Sequence, residues 1–339
     1  MTLGNEEAKK RASLFVALSA WAMLTSCTQI PMDGASTSAI VTSPPGRLLA
    51  GGLSGRIVFD HEFDIWTMNA DGSLRVRLTA HPDEDFDAVW SPDATMISFR
   101  SHRDGNEEVY VMNADGSQAR NLTNSPSSDY SPAWSPDGKT IAFASDREPD
   151  SGGNDIYIVN IDGSSLRRLT TGGGIDEYPS WSPDGTRIAY SCTGGRRLPN
   201  GVGDFEICAM NADGSDQLQL SDDPGISGHP AWSPDGTFIA FMTTRDGWPT
   251  LPEYVPPGYE DGEFGDYEVY VMDADGGNPR NITANGRADE QFPTWSPDGD
   301  YVLFSRYGCL VVSTPDGSAE VQITEDGLCA DGFPDWAGI

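Results

Sequence analysis

The sequence predicts an all-β fold, a six-bladed β-propeller of four-stranded blades, and three recurring signals predict it. Trp-Ser-Pro-Asp begins at Trp90, Trp134, Trp181, Trp232 and Trp295, at spacings of 44, 47, 51 and 63 residues. An Asp-Gly signal falls between these: "NADGS" at Asn69, Asn113 and Asn211, "NIDGS" at Asn160, "DADGG" at Asp273 and "TPDGS" at Thr314. A Leu-Thr type pair closes each unit, at Leu78-Thr79, Leu122-Thr123, Leu169-Thr170, Leu220-Ser221, Ile282-Thr283 and Ile323-Thr324. A repeat of this length built from short strands is a propeller signature, and six copies of the Asp-Gly signal imply six blades.

Each unit reads as four strands. The first carries the Trp, the second alternates as in Ile141–Phe143, the third resembles Asp155–Val159, and the fourth ends at the Leu-Thr pair. Alternation with β-branched and aromatic residues favours strand over helix. Pro-Asp-Gly after the first strand combines a preset φ, a side chain that bonds its own backbone and a residue tolerant of positive φ. Asp-Gly after the third strand is hairpin chemistry of the same kind. "DADG" at Asp273 looks like part of a calcium loop but lacks the later bidentate Glu, so it reads as a turn. Gly55 to Thr79 begins at a second strand and has no Trp strand of its own. The expected donor is the C-terminal "GFPDWAGI", with Trp336 in the place of Trp90. Blade 1 would then be closed from both ends of the chain, removing an exposed edge.

The chain has 339 residues and a formal charge of −31, a surface that repels nucleic acid and anionic membranes. Lys9, Lys10 and Arg11, then an apolar stretch from Ala12 to Leu24, then "LTSC" ending at Cys27, read as a lipoprotein leader over residues 1–26. Cys27 is the expected lipidation site, residues 27–55 a Ser/Thr/Pro/Gly-rich tether, and 56–339 the propeller. Four cysteines remain, and an even number in an exported chain suggests disulfides. Their expected positions in the blades pair Cys192 with Cys208 and Cys309 with Cys329.

Pro132 to Thr170, "PAWSPDGKTIAFASDRE…NDIYIVNIDGSSLRRLT", resembles the TolB-type propeller repeat, and the resemblance extends from about Arg56 to the C-terminus. It does not include the separate N-terminal α/β domain of that family. The resemblance raises the expectation of protein partners. Similar repeats also occur in oligogalacturonate lyases and in propeller domains of peptidases.

The turns after strands one and three share one face, and loops between strands two and three share the other with the interblade links. Variable loops on a rigid scaffold are the usual place for binding. Two neighbouring blades carry enlarged loops there: Thr193–Asp204, with Arg196 and Arg197, and Thr243–Asp266, with Trp248, Tyr254, Tyr259 and Phe264. Aromatic anchors of this kind suit an interface. His229, three residues before Trp232, takes a position expected to approach the central channel, where packing or hydrogen bonding is favoured over catalysis. Asp85, Asp129, Asp176, Glu290 and Asp331 stand five before a Trp, with Ser227 breaking the series. They form an expected acidic ring at the channel mouth. It would be either a site for Ca2+ or another cation or a set of acceptors for backbone N–H groups. No HxH or HxxxH pair, HExxH, nucleophile elbow or P-loop occurs, so no cofactor and no catalytic residue is expected.

The sequence therefore points to a non-catalytic, stand-alone propeller: a monomeric scaffold in the cell envelope, lipid-anchored to a membrane, that binds a protein or peptide through the variable face. Alternatives are a carbohydrate, small-ligand or cation sensor at the channel mouth, and an enzyme of the polysaccharide-lyase or hydrolase-associated type. Replacing Cys27 by Ala should abolish metabolic labelling with a fatty-acid analogue and release the protein from membranes.

Overall fold

The computed structural model describes residues 52–148, 153–197, 203–223, 225–246, 267–283, 289–324 and 331–338, with the side chains of 194–197, 203 and 331 outside that description. Six antiparallel sheets of four strands each are arranged as a β-propeller. Blade 3 shows the pattern: Asp129–Trp134, Thr140–Ser145, Asp155–Asn160 and Arg167–Arg168, from axis to rim. The outer strand is only two or three residues long in every blade. The Leu-Thr pairs therefore lie just beyond it, not within it as the repeat suggests.

Their position explains their chemistry. In all six blades the Thr or Ser hydroxyl accepts a backbone N–H from the third strand: Ile65 to Thr79 (2.9 Å), Val109 to Thr123 (3.0 Å), Ile156 to Thr170 (2.9 Å), Ile207 to Ser221 (2.9 Å), Val269 to Thr283 (2.9 Å) and Leu310 to Thr324 (2.8 Å). A short outer strand leaves that N–H without a ladder partner, and the hydroxyl supplies one.

Both turn types work as their sequences imply. In the first turn of blade 3, Asp137 Oδ1 accepts the Ser135 hydroxyl (2.7 Å) and the Lys139 N–H (3.1 Å). In the second, Asp162 Oδ1 accepts the Ser164 N–H (2.9 Å) and hydroxyl (2.6 Å), which holds its pKa below the usual carboxylate range. The glycine of this turn has a further task. A Cβ on Gly72, at φ 84°, would meet the Ile323 carbonyl oxygen of blade 6 at 2.3 Å. Gly276 would meet Leu220 O of blade 4 at 2.5 Å. The turn of one blade thus seats on the Leu or Ile carbonyl of the preceding one.

Apolar side chains are distributed among the seams. Six clusters each join two adjacent blades, as where Val109 and Val111 of blade 2 meet Trp134, Ile141, Phe143 and Tyr157 of blade 3. Middle strands are covered on both faces, which is why Phe59, Phe99, Phe143, Phe241 and Phe304, at one register position in five blades, are fully buried. Main-chain bonds add to each seam. The Asp129 N–H reaches Glu107 O of blade 2 (2.9 Å), and Asp176 N–H reaches Asn154 O of blade 3 (2.8 Å).

Blade 1 is assembled as expected. Asp331–Ala337 pairs antiparallel with Arg56–His61, placing Trp336 opposite Ile57. The Trp336 indole donates to Ser54 O at 2.9 Å. Deleting Phe333 to Ile339 should lower the whole thermal transition instead of fraying one blade, and unchanged melting would refute the closure. Replacing Thr170 by Val should cost about 2 kcal/mol in denaturant unfolding by orphaning the Ile156 N–H, with the folded spectrum retained.

Candidate functional site

The first strands of all six blades line a cavity of about 400 Å3 on the propeller axis. Its shape follows from a repeated irregularity. Each first strand bulges against its second strand, and in each bulge the residue three before the Trp takes a left-handed backbone: Asp87 (φ 53°), Ser131 (51°), Tyr178 (53°), His229 (53°), Phe292 (57°) and Phe333 (41°). Six non-glycine residues in that region, each costing on the order of 1 kcal/mol or more, mark a position where the fold overrules local preference. All six line the cavity. In five blades the next residue is Pro, at 132, 179, 230, 293 and 334, so a ladder of proline rings follows. The lining continues past Trp90, Trp134, Trp181 and Trp336 to Pro92, Pro297 and Gly338, toward the face of the regular turns.

The ring of left-handed residues has two unlike halves. On blades 4, 5, 6 and 1 it is an aromatic stack. Tyr178 and His229 have centroids 3.5 Å apart, Phe292 and Phe333 3.8 Å, and His229 meets Phe292 edge-on at 4.8 Å. Burial pushes the His229 imidazole down to about 3, so it is neutral at physiological pH. On blades 2 and 3 the ring is polar, with Asp87 and Ser131. Behind Asp87 lies Arg100, 3% exposed, 3.4 Å from Asp87 and 2.9 Å from Glu107. Burial opposes the Arg100 charge, but the two carboxylates outweigh it and hold the guanidinium above its ordinary pKa. Asp87, Ser131 and His229 share the ring, and the His229 imidazole packs against the rings of Tyr178, Phe292 and Phe333.

One more lining residue ties the axis to the closure. Asp335 accepts the Trp90 N–H of blade 2 (2.8 Å) and the Thr294 hydroxyl of blade 6 (3.2 Å). Burial raises its pKa against those bonds and the Trp336 N–H. It stands one before its Trp, where other blades carry Val89, Ala133, Ser180, Ala231 and Thr294. An acid among these small residues is the signal that could have singled it out. The proline ladder was equally visible beside the Trp motif.

The other sequence-derived residues lie elsewhere. The carboxylates five before each Trp are at the starts of first strands and are not part of the cavity lining. Asp85, Asp129 and Glu290 are fully buried and pair with Arg103 (2.9 Å), Arg147 (2.7 Å) and Arg306 (2.8 Å). Asp176 is buried with no such arginine among the described residues, and the Asp331 side chain lies outside them. Among the described residues, no three His, Cys, Asp or Glu side chains converge to hold a metal ion. Arg196 and Arg197 close the second strand of blade 4, but their side chains are outside the description, as are Cys27, Trp248, Tyr254, Tyr259 and Phe264. Cys192 and Cys208 form a disulfide, Cα–Cα 5.8 Å. Cys309 is also disulfide-bonded, and Cys329 lies outside the described residues.

This geometry defines a six-bladed propeller with an aromatic-floored axial cavity and a Trp-Ser-Pro-Asp repeat. The chain carries a TolB-like β-propeller. The profile of the TolB beta propeller domain matches residues 124–197, and that of the Tricorn protease N-terminal beta propeller domain matches residues 53–153. A TolB homolog of Chlorobium chlorochromatii is 35% identical over 131 residues, covering 32% of this chain and 30% of the relative. The Tol-Pal system protein TolB of Anaeromyxobacter dehalogenans is 35% identical over 123 residues, 29% of this chain and 28% of the relative. The chain thus matches less than a third of the length of these relatives. Among solved structures, TolB from Acinetobacter baumannii shares the fold at 20% identity and TM-score 0.67, over 85% of this chain and 67% of that one.

Burial of a neutral His229 sets a pH dependence. The unfolded imidazole takes a proton near 6.5 and the folded one does not, so this group lowers stability as pH falls below about 6.5. Replacing His229 by Phe, the residue that blade 6 and blade 1 use here, should remove that component. The variant's loss of stability between pH 6.5 and 4.5 in denaturant titrations should be smaller than the wild type's.

Proposed function

We propose that this chain is a non-catalytic docking scaffold of the bacterial cell envelope, and that its partner inserts a short peptide segment into the axial cavity. The observation that carries this reading is the cavity: pre-formed, walled by proline rings and indoles and floored by stacked aromatics. Concave, largely apolar sites with few polar groups suit an aromatic or proline-bearing segment. Likeness to TolB supports a protein partner, although a shared fold alone does not set function. The leader, a lipidated Cys27 and the tether through residue 55 complete an anchored protein, and the Cys192–Cys208 disulfide agrees with an oxidising compartment. Arg196, Arg197 and the aromatic residues of the Thr243–Asp266 segment would add a second contact surface.

A cavity of about 400 Å3 also falls within the range of small-molecule sites, so a glycan fragment is the alternative occupant. Calorimetry with glycan fragments separates the two. Peptides selected by phage display on the full chain should be rich in aromatic residues or proline. Pro92→Arg combined with Pro297→Arg, at the exposed rim, should weaken them at least tenfold without changing the melting temperature. Equal binding to the double variant would sink the axial reading.

A further inference from the structure

Blade 4 departs from its neighbours at several linked positions. In blades 2, 3 and 5 an arginine two residues past the second strand lies over a Phe and a Tyr. Arg103 covers Phe99 and Tyr110, Arg147 covers Phe143 and Tyr157, and Arg245 covers Phe241 and Tyr270. In blades 2 and 3 the same arginine neutralises the buried first-strand carboxylate, Asp85 or Asp129. Blade 5 has Ser227 instead of an acid, and its Arg245 pairs with Asp223 at 2.7 Å. In blade 4 the register puts Gly194 at the arginine position, Cys192 at that of Ser101, Ser145 and Thr243, and Cys208 at that of the tyrosine. The disulfide takes the place of the arginine stack, and Asp176 is buried without a counterion among the described residues.

The outer strand offers a second arginine in blades 1 and 3, where blades 2 and 5 carry Asn121 and Asn281 and blade 6 carries Gln322. Arg77 pairs with Asp64 in blade 1 (2.6 Å) and Arg168 with Asp155 in blade 3 (2.8 Å), each from the outer strand. The equivalent residue of blade 4 is Gln219, whose amide donates to Ser221 O. Its carboxylate, Glu206, is 1% exposed, accepts the Ser221 hydroxyl through Oε2, and has no partner at Oε1 among the described residues. Asp176 and Glu206 flank Cys192 in register across three adjacent strands. The charged groups acting on Glu206 are Asp204, Asp222 and Asp223, the last committed to Arg245. Those acting on Asp176 are Asp155, Glu177 and Arg168, the last committed to Asp155. Among the described residues, neither carboxylate has a cation of its own.

We propose that blade 4 is a proton-responsive element of the ring, in which Asp176 and Glu206 take up protons in mildly acidic surroundings in place of the arginines that neutralise their counterparts. Burial, opposed by the Thr170 and Ser221 hydroxyls, raises Asp176 to about 6 and Glu206 to about 7. The folded chain holds these protons to a higher pH than the unfolded chain. Their contribution is complete below the ordinary carboxyl range and is lost as pH rises through about 6 and then about 7. Above that, the disulfide holds together a blade that carries two buried, uncompensated charges.

The experiment is denaturant unfolding of the full chain from pH 5 to 8. Wild type is compared with Asp176→Asn/Glu206→Gln and with Gln219→Arg, which restores the arginine of blades 1 and 3. Each proton held by the folded chain but not by the unfolded one raises the unfolding constant by up to about tenfold per pH unit, until the folded group releases it. The double variant should lose that rise, and Gln219→Arg should lose the Glu206 part, which ends near 7. The arginine variant keeps the proposal testable if the double variant folds poorly. Profiles of wild type and Gln219→Arg that superimpose across this range would overturn it.

Discussion

The ladder between Asp331–Ala337 and Arg56–His61 is the constraint on which the rest depends. In this propeller the apolar surface is divided among six seams, and each seam needs a blade on both sides. Without the last strand, two seams lose a wall, because Trp336 packs toward blade 6 and Ala337 toward blade 2. Asp335 in the same strand bonds both flanking blades through one carboxylate. Closure, core and axial lining are thus consequences of a single strand pairing.

Much of this was legible because the repeat exposes its own chemistry. The turn aspartates, the strand order, the blade number and the joint blade 1 could be read from Trp-Ser-Pro-Asp, Asp-Gly and a stray Trp336. The role of the Leu-Thr pair was not legible, since a Thr that serves a neighbouring strand looks the same as one inside a strand. Nor was the use of the turn glycine against the preceding blade's carbonyl, because φ > 0 already accounts for a Gly there.

The candidate site was read less well, for a physical reason. Enlarged loops draw attention by length and composition, whereas the axial ring is built from positions with no common residue type: an acid, a hydroxyl, a phenol, an imidazole and two phenyl rings. What these positions share is a backbone conformation, which a sequence shows only indirectly through the following Pro. The first-strand acids had the opposite character. Their repetition was plain, but their arginine partners lie on the adjoining strand and its loop, so the ion pairs were hidden in the primary sequence.

The left-handed bulge separates the part of each blade that must be constant from the part that is free to differ. Strand pairing, turn and seam are fixed on either side of it, while the side chain at the bulge is turned toward the axis. Six such positions make the channel a combination lock: any one letter can be rewritten without recutting the blade that holds it. Divergence among proteins built on this ring could then proceed one axial residue at a time, with the scaffold inherited whole.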